Sequence, residues 1–366
     1  MCRRWRNIVF GSPRRLNLRL FCTPKTPARD TLDVWPALPL LIFGDTSLTS
    51  GTDDITGLPK CHNDIVALGQ TSRVCRVDLW HLEDRQLGKV LAAMQVPFPQ
   101  LTRLLLISYG ESPPVVPDSF LGGSAPHLQF SELSGIPFPG LPKLLLSATH
   151  LVTLYLLNIP HSGYFSPEAM VGLLSWTALS LRLQSPQSPP DWESRRLPPL
   201  RHSVIPALTY FEFKGVIEYL EDLVSYIDAP QLDYSHIASF NQIDFDGPRL
   251  AQFISRTSAL GDHEAHVEFD NSTASVRLPS PSAIENLCRE PGWQLSSVAH
   301  VCNSCLPPLS MIEDLYIDHR SKEYTLPFHM SVEIALRDLA RNTLTPSNVL
   351  SVSFLKVSRG CAAARE

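Results

Sequence analysis

The amino-acid sequence predicts an α/β solenoid, in which short parallel strands line one face and helices cover the other. Three observations support this fold class: a leucine-rich phrase recurs along the chain, neighbouring copies start 23 to 27 residues apart, and stretches with helical spacing of apolar residues separate them. Hydrophobic residues make up 44% of the 366 residues and charged residues 18%, a composition that supports a large folded core rather than disorder.

Each clear copy of the phrase carries apolar residues at its first, fourth and sixth positions, and some weaker copies keep only part of this pattern. The clearest copies are VCRVDLW (74–80), LTRLLLI (101–107), LVTLYLL (151–157), LTYFEFK (208–214) and IEDLYID (312–318), and weaker copies lie at 128–134, 176–183 and 232–238. The pattern L-x-x-L-x-L with a period of about 20–29 residues is typical of leucine-rich repeats, where stacked strands bury the three apolar side chains. The alternative is an ordinary α/β domain with leucine-rich strands. It does not explain the shared period or the proline that precedes many copies.

The segments around the copies complete the predicted architecture. Amphipathic spacing predicts helices in the stretches 61–70, 82–94, 166–175 and 217–227. Residues 184–200 are rich in proline and predict an inserted loop, while residues 270–300 are interpreted as a further loop and helix. The predicted organisation is a short N-terminal helix (1–15), a first strand with a proline-bearing connector (16–60), an irregular solenoid (61–320) and a divergent tail of one helix and one strand (321–366).

The arginine-rich N-terminus is predicted to form a short amphipathic helix that precedes the first strand. Its apolar residues recur at helical spacing and share one face, while the arginines lie off that face. Gly11, Ser12 and Pro13 end the helix, and alternating leucines between residues 16 and 20 then predict the strand. The packed face of the helix comprises Cys2, Trp5, Ile8 and Val9.

Charge and apolar patterning argue against several classes of protein. The net charge is −5 with a pI near 6.2, so binding to nucleic acid is not expected despite the N-terminal arginines. No apolar stretch is long enough to cross a membrane, and the first residues lack the apolar run of a secretory signal. The eight cysteines are therefore interpreted as reduced thiols. We expect a cytoplasmic or nuclear protein without membrane or nucleic-acid partners.

Two short motifs contain metal-binding residue types without the spacing that a metal site requires. Cys302 and Cys305 form one C-x-x-C pair, but a zinc site usually needs a second pair, so packed structural cysteines are expected. His263 and His266 are three residues apart, whereas the zinc-protease motif H-E-x-x-H places them four apart. Residues 261–270 therefore predict a polar loop, and no metal site is expected.

The sequence also lacks recognisable catalytic motifs. Asp244 and Asp246 would share one face of a strand, but nothing around them indicates a pocket, so a solvated strand edge or turn is expected. The chain contains no G-x-S-x-G, Walker A or G-x-G-x-x-G motif. We therefore predict no enzymatic activity and no cofactor.

The residues between the leucines are the candidate functional residues. In an L-x-x-L-x-L strand, positions three, five and seven point away from the buried leucines and onto the concave face of the solenoid. Exposed tryptophan, tyrosine and arginine are the types that most often dominate protein interfaces. The predicted partner-binding residues are Arg76, Asp78, Trp80, Arg103, Leu105, Thr153, Tyr155, Tyr210, Glu212, Lys214, Tyr234, His236, Asp314 and Tyr316.

Several stretches of the chain resemble a known family. The N-terminal stretch CRRWRNIVFGSPRRLNLRLF and the phrases KGVIEYLEDLVSYIDAPQLD, FNQIDFDGPRLAQFISRT and WQLSSVAHVCNSCLP are similar to F-box/leucine-rich-repeat-like proteins of mushroom-forming fungi, over residues 2 to about 320. The resemblance implies that residues 2–15 are the last helix of an F-box and that the repeats present a protein substrate. It also implies docking on a Skp-type adaptor of a cullin–RING ubiquitin ligase.

Two departures from the family pattern leave alternatives open. The earlier F-box helices, which in the family make most of the adaptor contact, have no counterpart here, because Met1 stands where the last F-box helix begins. The tail after about residue 322 also follows the family pattern poorly. The sequence therefore fits an F-box substrate receptor or a truncated form of one. It also fits a repeat scaffold with no link to ubiquitin ligases, and an enzyme is the remote alternative.

Overall fold

The computed structural model describes fourteen stretches of the chain. They are residues 18–23, 27–45, 62–138, 143–160, 163, 165–174, 180–184, 203–240, 248–257, 264–269, 273–277, 283–287, 314–319 and 351–354. The chain divides into two compact units, Met1–Ser185 and Pro186–Glu366, and each is described by itself.

The first unit contains a parallel sheet with helices between its strands. The strands are β1 (Leu18–Cys22), β2 (Leu40–Asp45), β3 (Val74–Leu82), β4 (Arg103–Ser108), β5 (Phe130–Ser134), β6 (Thr153–Leu157) and β7 (Ser180–Gln184). The helices are α1 (Ala28–Val34), α2 (His62–Leu68), α3 (Asp84–Ala93), α4 (Lys143–Ser147) and α5 (Pro167–Leu174), with a 3-10 turn at Phe120–Gly123. Each strand is hydrogen-bonded in parallel to the next strand along the chain.

The repeated phrases pair in register across this sheet. Leu79 on β3 is paired with Leu106 on β4, and Leu106 is paired with Leu133 on β5. Leu156 and Leu183 continue the same column on β6 and β7. All five side chains are buried, with at most 4% of their surface exposed. A single short strand cannot bury three apolar residues, so the stacking explains why the leucines recur at constant positions in each copy.

Helix α2 shows which face of the sheet a helix covers. The Asp64 carboxyl of α2 lies close to the Cys22 side chain, and its Oδ1 lies 2.7 Å from the place where a Cβ on Gly44 would stand. Gly44 is paired with both Cys22 and Leu79, so α2 packs on the same face as the leucine column. Since side chains alternate along a strand, the residues between the leucines lie on the opposite face.

Helix α3 begins with a capping box. The backbone N–H of Glu83 donates to Oε1 of Gln86 at 3.0 Å, and the Glu83 side chain accepts a hydrogen bond from the backbone of the third helical residue. Leu87, Val90 and Leu91 then form part of the buried side of the helix. The two reciprocal hydrogen bonds satisfy donors that a helix start otherwise leaves open.

We expect Glu83→Ala to lower the free energy of unfolding by about 1 kcal/mol, because it leaves a first-turn N–H without its acceptor. Chemical denaturation followed by circular dichroism measures the change. Glu111→Ala is the control, since Glu111 is exposed and outside the helix, and it should change the stability by less than about 0.5 kcal/mol. Equal effects of the two substitutions would show that the cap does not stabilise α3.

The second unit combines parallel and antiparallel strands. Its strands are β8 (Ser203–Val204), β9 (Tyr210–Gly215), β10 (Ile227–Asp228), β11 (Tyr234–Phe240), β12 (Glu264–Phe269), β13 (Thr273–Arg277), β14 (Ala283–Leu287), β15 (Asp314–His319) and β16 (Ser351–Phe354). Strands β9, β11 and β14 are parallel neighbours, β14, β13 and β12 are antiparallel, and β12, β15 and β16 are parallel again. Strands β8 and β10 form a separate parallel pair.

Two helices pack beside the first strands of the second unit. They are α6 (Ile217–Tyr226) and α7 (Pro248–Arg256), and they contact each other. Phe253 of α7 meets Phe211 of β9 edge to face, with 6.5 Å between the ring centroids, and both side chains are fully buried. The Glu221 carboxylate of α6 accepts hydrogen bonds from the first backbone N–H groups of α7, at Arg249 (3.0 Å) and Leu250 (2.7 Å). An aromatic pair and a charged cap therefore join α6, α7 and β9 into one core.

The mixed α/β class is confirmed, with a mostly parallel arrangement of strands. The helices predicted in 61–70, 82–94, 166–175 and 217–227 are α2, α3, α5 and α6, and each of the eight phrase copies contains a strand. The strand predicted in the tail is β16. The leucine-rich-repeat solenoid stays a prediction. The predicted N-terminal helix and tail helix lie outside the described residues.

One prediction of irregular structure is wrong, because the segment 261–270 contains β12 where a polar loop was expected. The connector within 16–60 contains α1 and β2, which the sequence did not predict. Within 270–300 the structure describes β13 and β14, and the rest of that segment lies outside the described residues. Strand β2 begins with the apolar run LLIF directly after Pro39, and this run lacks the alternation of apolar and polar residues that is typical of a half-exposed strand. The residues EAHVEF of β12 alternate charged and apolar side chains, so the strand pattern outweighs the polar composition.

Candidate functional site

The candidate site of the first unit is the side of the parallel sheet that lies opposite the leucine column. We call it the strand face, and it bears Arg76, Asp78 and Trp80 on β3. These are the third, fifth and seventh residues of their phrase, and they alternate with buried Val77 and Leu79. The register places the equivalent residues of neighbouring strands side by side, so the face consists of rows that cross the sheet.

Two arginines on neighbouring strands share one buried carboxylate. Arg76 donates from Nε to Oδ2 of Asp78 at 2.8 Å, and its Nη2 donates to the same oxygen. Arg103, which is paired with Arg76 in the register, donates from Nε to Oδ1 at 3.2 Å. The Asp78 side chain is fully buried, while the Arg76 and Arg103 side chains are 35% and 30% exposed. We call these three residues the arginine cluster. It carries two positive charges and one negative charge.

Aromatic rings support both arginines of the cluster. The Arg103 guanidinium carbon lies 3.7 Å from the centroid of the Phe130 ring, and that of Arg76 lies 5.0 Å from the Phe43 centroid. Both distances are within the range of a cation–π contact. Each guanidinium is therefore held by the Asp78 carboxylate and by a ring on the neighbouring strand.

Glu132 extends the charged part of the strand face. It is paired with Leu105 on one side and Tyr155 on the other, one strand beyond Arg103. Burial raises the pKa of the Glu132 carboxyl above its ordinary value; the positive charges of Arg103 and Arg182 oppose this rise, and the negative charge of Asp78 adds to it. Glu132 therefore interacts electrostatically with Arg103, Arg182 and Asp78, and it adds a second carboxyl group to this part of the strand face.

A row of aromatic rings lies beside the arginine cluster. The Phe21 and Phe43 rings stack with 5.1 Å between their centroids, and the Phe43 and Trp80 rings stack with 6.4 Å. Phe21 is 59% exposed, although it is a large apolar side chain. We call Phe21, Phe43 and Trp80 the aromatic row. The strand face thus joins exposed apolar surface to guanidinium groups.

The second unit carries its own cluster on β9 and β11. The Tyr210 and Tyr234 rings are paired in the register and stack with 4.4 Å between their centroids. The Tyr210 hydroxyl donates to Oε2 of Glu212 at 2.7 Å, and Nδ1 of His236 lies 3.9 Å from Oε1 of the same carboxylate. A mostly buried carboxylate again organises the side chains around it.

Most of the predicted partner-binding residues are partly exposed on these two surfaces. The half-exposed ones are Arg76, Trp80, Arg103, Thr153, Tyr155, Tyr210, Lys214, Tyr234 and His236. Asp314 and Tyr316 lie on β15, of which only the backbone is described. The predicted packing residues Cys2, Trp5, Ile8 and Val9 lie outside the described part of the chain. Whether the half-exposed residues contact a partner stays a prediction.

Three of the predicted residues do not offer an exposed side chain. Asp78, Leu105 and Glu212 are buried, with 0%, 5% and 8% of their surface exposed. The side chains of Arg76 and Arg103 pair with the Asp78 carboxylate and cover it. In the same way, Tyr210 and His236 contact the Glu212 carboxylate and cover it. The expectation that alternation alone exposes these positions is therefore wrong. Charged groups that pair with their neighbours along the sheet become part of its packing.

Five residues of the strand face were not among the predicted ones. They are Phe21, Phe43, Phe130, Glu132 and Arg182. Phe130 and Glu132 occupy the third and fifth positions of the weaker phrase 128–134, and Arg182 is the seventh residue of 176–183. Applying the motif positions to the weaker copies would have found these three. Phe43 lies on β2, which the repeat pattern did not reveal.

The described residues give no indication of metal chemistry. Within them, no group of three or more histidine, cysteine, aspartate or glutamate side chains is placed to hold a metal ion. His266 belongs to β12, of which the backbone is described. The other residues weighed for metal or acid–base chemistry lie outside the described stretches: Asp244, Asp246, His263, Cys302 and Cys305. Of the helices described, none has the length and apolar character needed to span a membrane.

The strand face combines two kinds of chemistry that suit protein binding. Its guanidinium groups offer N–H donors, and its aromatic row offers apolar surface next to them. Comparisons with protein-family models, with curated proteins and with solved structures found no match for this chain. Function is therefore inferred from the geometry of the strand face and from the sequence.

Proposed function

We propose that this protein is a non-enzymatic protein-recognition module, a leucine-rich-repeat-like solenoid whose strand face binds a protein partner. The observation that supports the proposal most strongly is the arrangement of half-exposed arginine and aromatic side chains on in-register parallel strands. Arginine, tyrosine and tryptophan supply a large share of the binding energy at protein interfaces. Parallel strands hold these side chains at fixed spacing, which reduces the conformational entropy lost on binding.

The partner is proposed to be a substrate of a cullin–RING ubiquitin ligase. This part rests on the resemblance of residues 2–320 to fungal F-box/leucine-rich-repeat-like proteins. Residues 2–15 would then contact a Skp-type adaptor, and the strand face would hold the substrate in the cytoplasm or nucleus. A repeat scaffold without a ligase link is the second candidate, because the strand face supports binding of a partner with or without an adaptor.

Affinity purification with two separate variants tests both parts of the proposal. We expect Trp80→Ala to lose the protein partner and to keep any Skp-type adaptor, because Trp80 lies in the aromatic row. We expect Trp5→Ala to lose the adaptor and keep the partner. Lys89→Ala on α3 is the control, since Lys89 is exposed on a helix, and it should keep both. Thermal melting of each variant shows whether it is folded.

The outcomes separate the candidates. If the wild-type chain retains no Skp-type adaptor but binds a partner through Trp80, the result favours the scaffold. A partner that binds Trp80→Ala and wild-type protein equally well contradicts recognition by the strand face.

A further inference from the structure

We propose that the arginine cluster is the binding site for a carboxylate of the partner protein, presented next to an apolar side chain that lies on the aromatic row. The inference rests on the proposed function and specifies the chemistry of the partner. It commits to an acidic segment of polypeptide, in which an aspartate or glutamate side chain, or the C-terminal carboxylate, meets Arg76 and Arg103.

The arginine cluster has hydrogen-bond donors left over. Only Nε and Nη2 of Arg76, and Nε of Arg103, donate to Asp78. Nη1 of Arg76 and both Nη groups of Arg103 have no acceptor among the residues that the structure describes. Both side chains remain about one-third exposed, so an incoming oxygen can reach these groups. A bound anion could accept hydrogen bonds from these remaining N–H groups of the two arginines.

The guanidinium groups are also oriented before any ligand arrives. Asp78 fixes the Nε edge of each arginine, and the Phe43 and Phe130 rings support their planes. An arginine that is already held in place loses little rotamer freedom on binding. The planar fork of donors matches a carboxylate, which can accept two parallel N–H bonds.

Charge favours a carboxylate over a phosphate. Arg76 and Arg103 carry two positive charges against the one carboxylate of Asp78, so the arginine cluster has a net charge of +1. One carboxylate neutralises this charge. A phosphate monoester, with a charge of about −1.5 to −2 at neutral pH, would leave an excess of negative charge beside the fully buried Asp78 carboxylate.

The aromatic row indicates which kind of partner side chain lies next to the partner's carboxylate. Arg76 contacts the Phe43 ring, and Phe43 stacks between Phe21 and Trp80. Phe21 is 59% exposed, so part of this row is open to an apolar side chain. The expected motif is therefore an acidic residue close to an aromatic or aliphatic one in an extended segment.

Phage display of random dodecapeptides on the full-length chain tests the proposal. We expect enriched peptides that share an acidic residue near an apolar one. A synthetic copy of the best peptide should lose at least tenfold in affinity when its acidic residue is replaced by the matching amide. Its affinity should fall by a similar factor with the Arg103→Gln protein and by less with Arg103→Lys, which keeps the charge but loses the fork. Lys89→Gln, on the exposed side of α3, should bind as the wild type does.

The contrary outcomes are distinct. Failure to enrich any peptide, or affinity that does not depend on the acidic residue or on Arg103, overturns the carboxylate site. Tighter binding after replacement of the acidic residue by phosphoserine also overturns it, in favour of a phosphate. If peptide binding is lost with Phe21→Ser but kept with Arg103→Gln, the strand face recognises polypeptide as proposed, and only the assignment of the arginine cluster fails.

Discussion

Between pH 4 and pH 8, we expect the free energy of unfolding of the wild-type protein to fall by roughly 4 kcal/mol relative to that of Asp64→Asn. Asp64 on α2 is 3% exposed, and its Oδ1 has no hydrogen-bond partner among the described residues. Burial raises the pKa of its carboxyl from 3.8 to about 7, and the hydrogen bond with Cys22 opposes the rise only in part. The folded protein therefore favours the neutral acid.

The direction of the effect follows from where the proton is bound. Below about pH 4 the carboxyl is protonated in both the folded and the unfolded chain, and the stabilising contribution is fully present. As the pH rises, the Asp64 carboxyl ionises first in the unfolded chain. Its contribution to the free energy of unfolding then falls, and it is lost once the pH has passed through about 7. Asp64→Asn keeps the shape of the neutral acid and removes the titration, so its stability should depend less on pH.

Urea denaturation of both proteins at several pH values measures this difference. Asp118→Asn is the matched control, because Asp118 is an exposed aspartate of the same unit, and its pH profile should follow that of the wild type. Parallel profiles for the wild type and Asp64→Asn would show that Asp64 is hydrated in the folded protein. That result would place α2 further from β1 and β2 than the structure has it.

The second large effect is expected from Leu106→Ala, which should lower the free energy of unfolding by about 3 kcal/mol. Leu106 is fully buried and lies inside the leucine column, where it is paired with Leu79 on one side and Leu133 on the other. Removal of its side chain leaves a cavity in a row where each residue packs against the next strand. The loss combines the transfer of apolar surface to water with the cavity itself.

Val152→Ala is the control for Leu106→Ala, and both are measured by chemical denaturation. Val152 precedes β6 and is 41% exposed, so its truncation should change the stability by less than about 0.5 kcal/mol. If Leu106→Ala were as mild as the control, the register of the strands would be different from the one described, since Leu106 would then lie at the surface.

The sequence predicts much of the first unit because burial and spacing coincide in its strands. The residues that pair in turn with Leu79 on β4, β5, β6 and β7 are all leucines. The position of Val77 is leucine on β4, β6 and β7 and serine on β5. Parallel stacking then requires these residues to be buried. The same reasoning does not identify strand β2. Its apolar run LLIF contains no polar residue that would indicate which face is exposed.

The candidate site is less predictable because it depends on contacts between strands. Arg76 and Arg103 both occupy third positions and Asp78 a fifth position, so the repeat pattern places them near one another. It does not reveal that one carboxylate accepts from both arginines and is buried by them. When charged side chains pair across neighbouring strands, they can bury one another. The alternation of residues along a single strand does not predict this burial.

Site-specific photo-crosslinking tests recognition by the strand face most directly. Benzoylphenylalanine replaces Phe21, an exposed ring of similar shape, and in a second protein it replaces Lys89 on α3 as the control. After irradiation in cells that contain the native partners, we predict that position 21 forms a discrete crosslinked protein species and position 89 does not. The crosslink at position 21 should disappear when Trp80→Ala is added. Equal crosslinking from the two positions, or a crosslink at position 21 that does not depend on Trp80, would contradict the assignment of the strand face as the recognition surface.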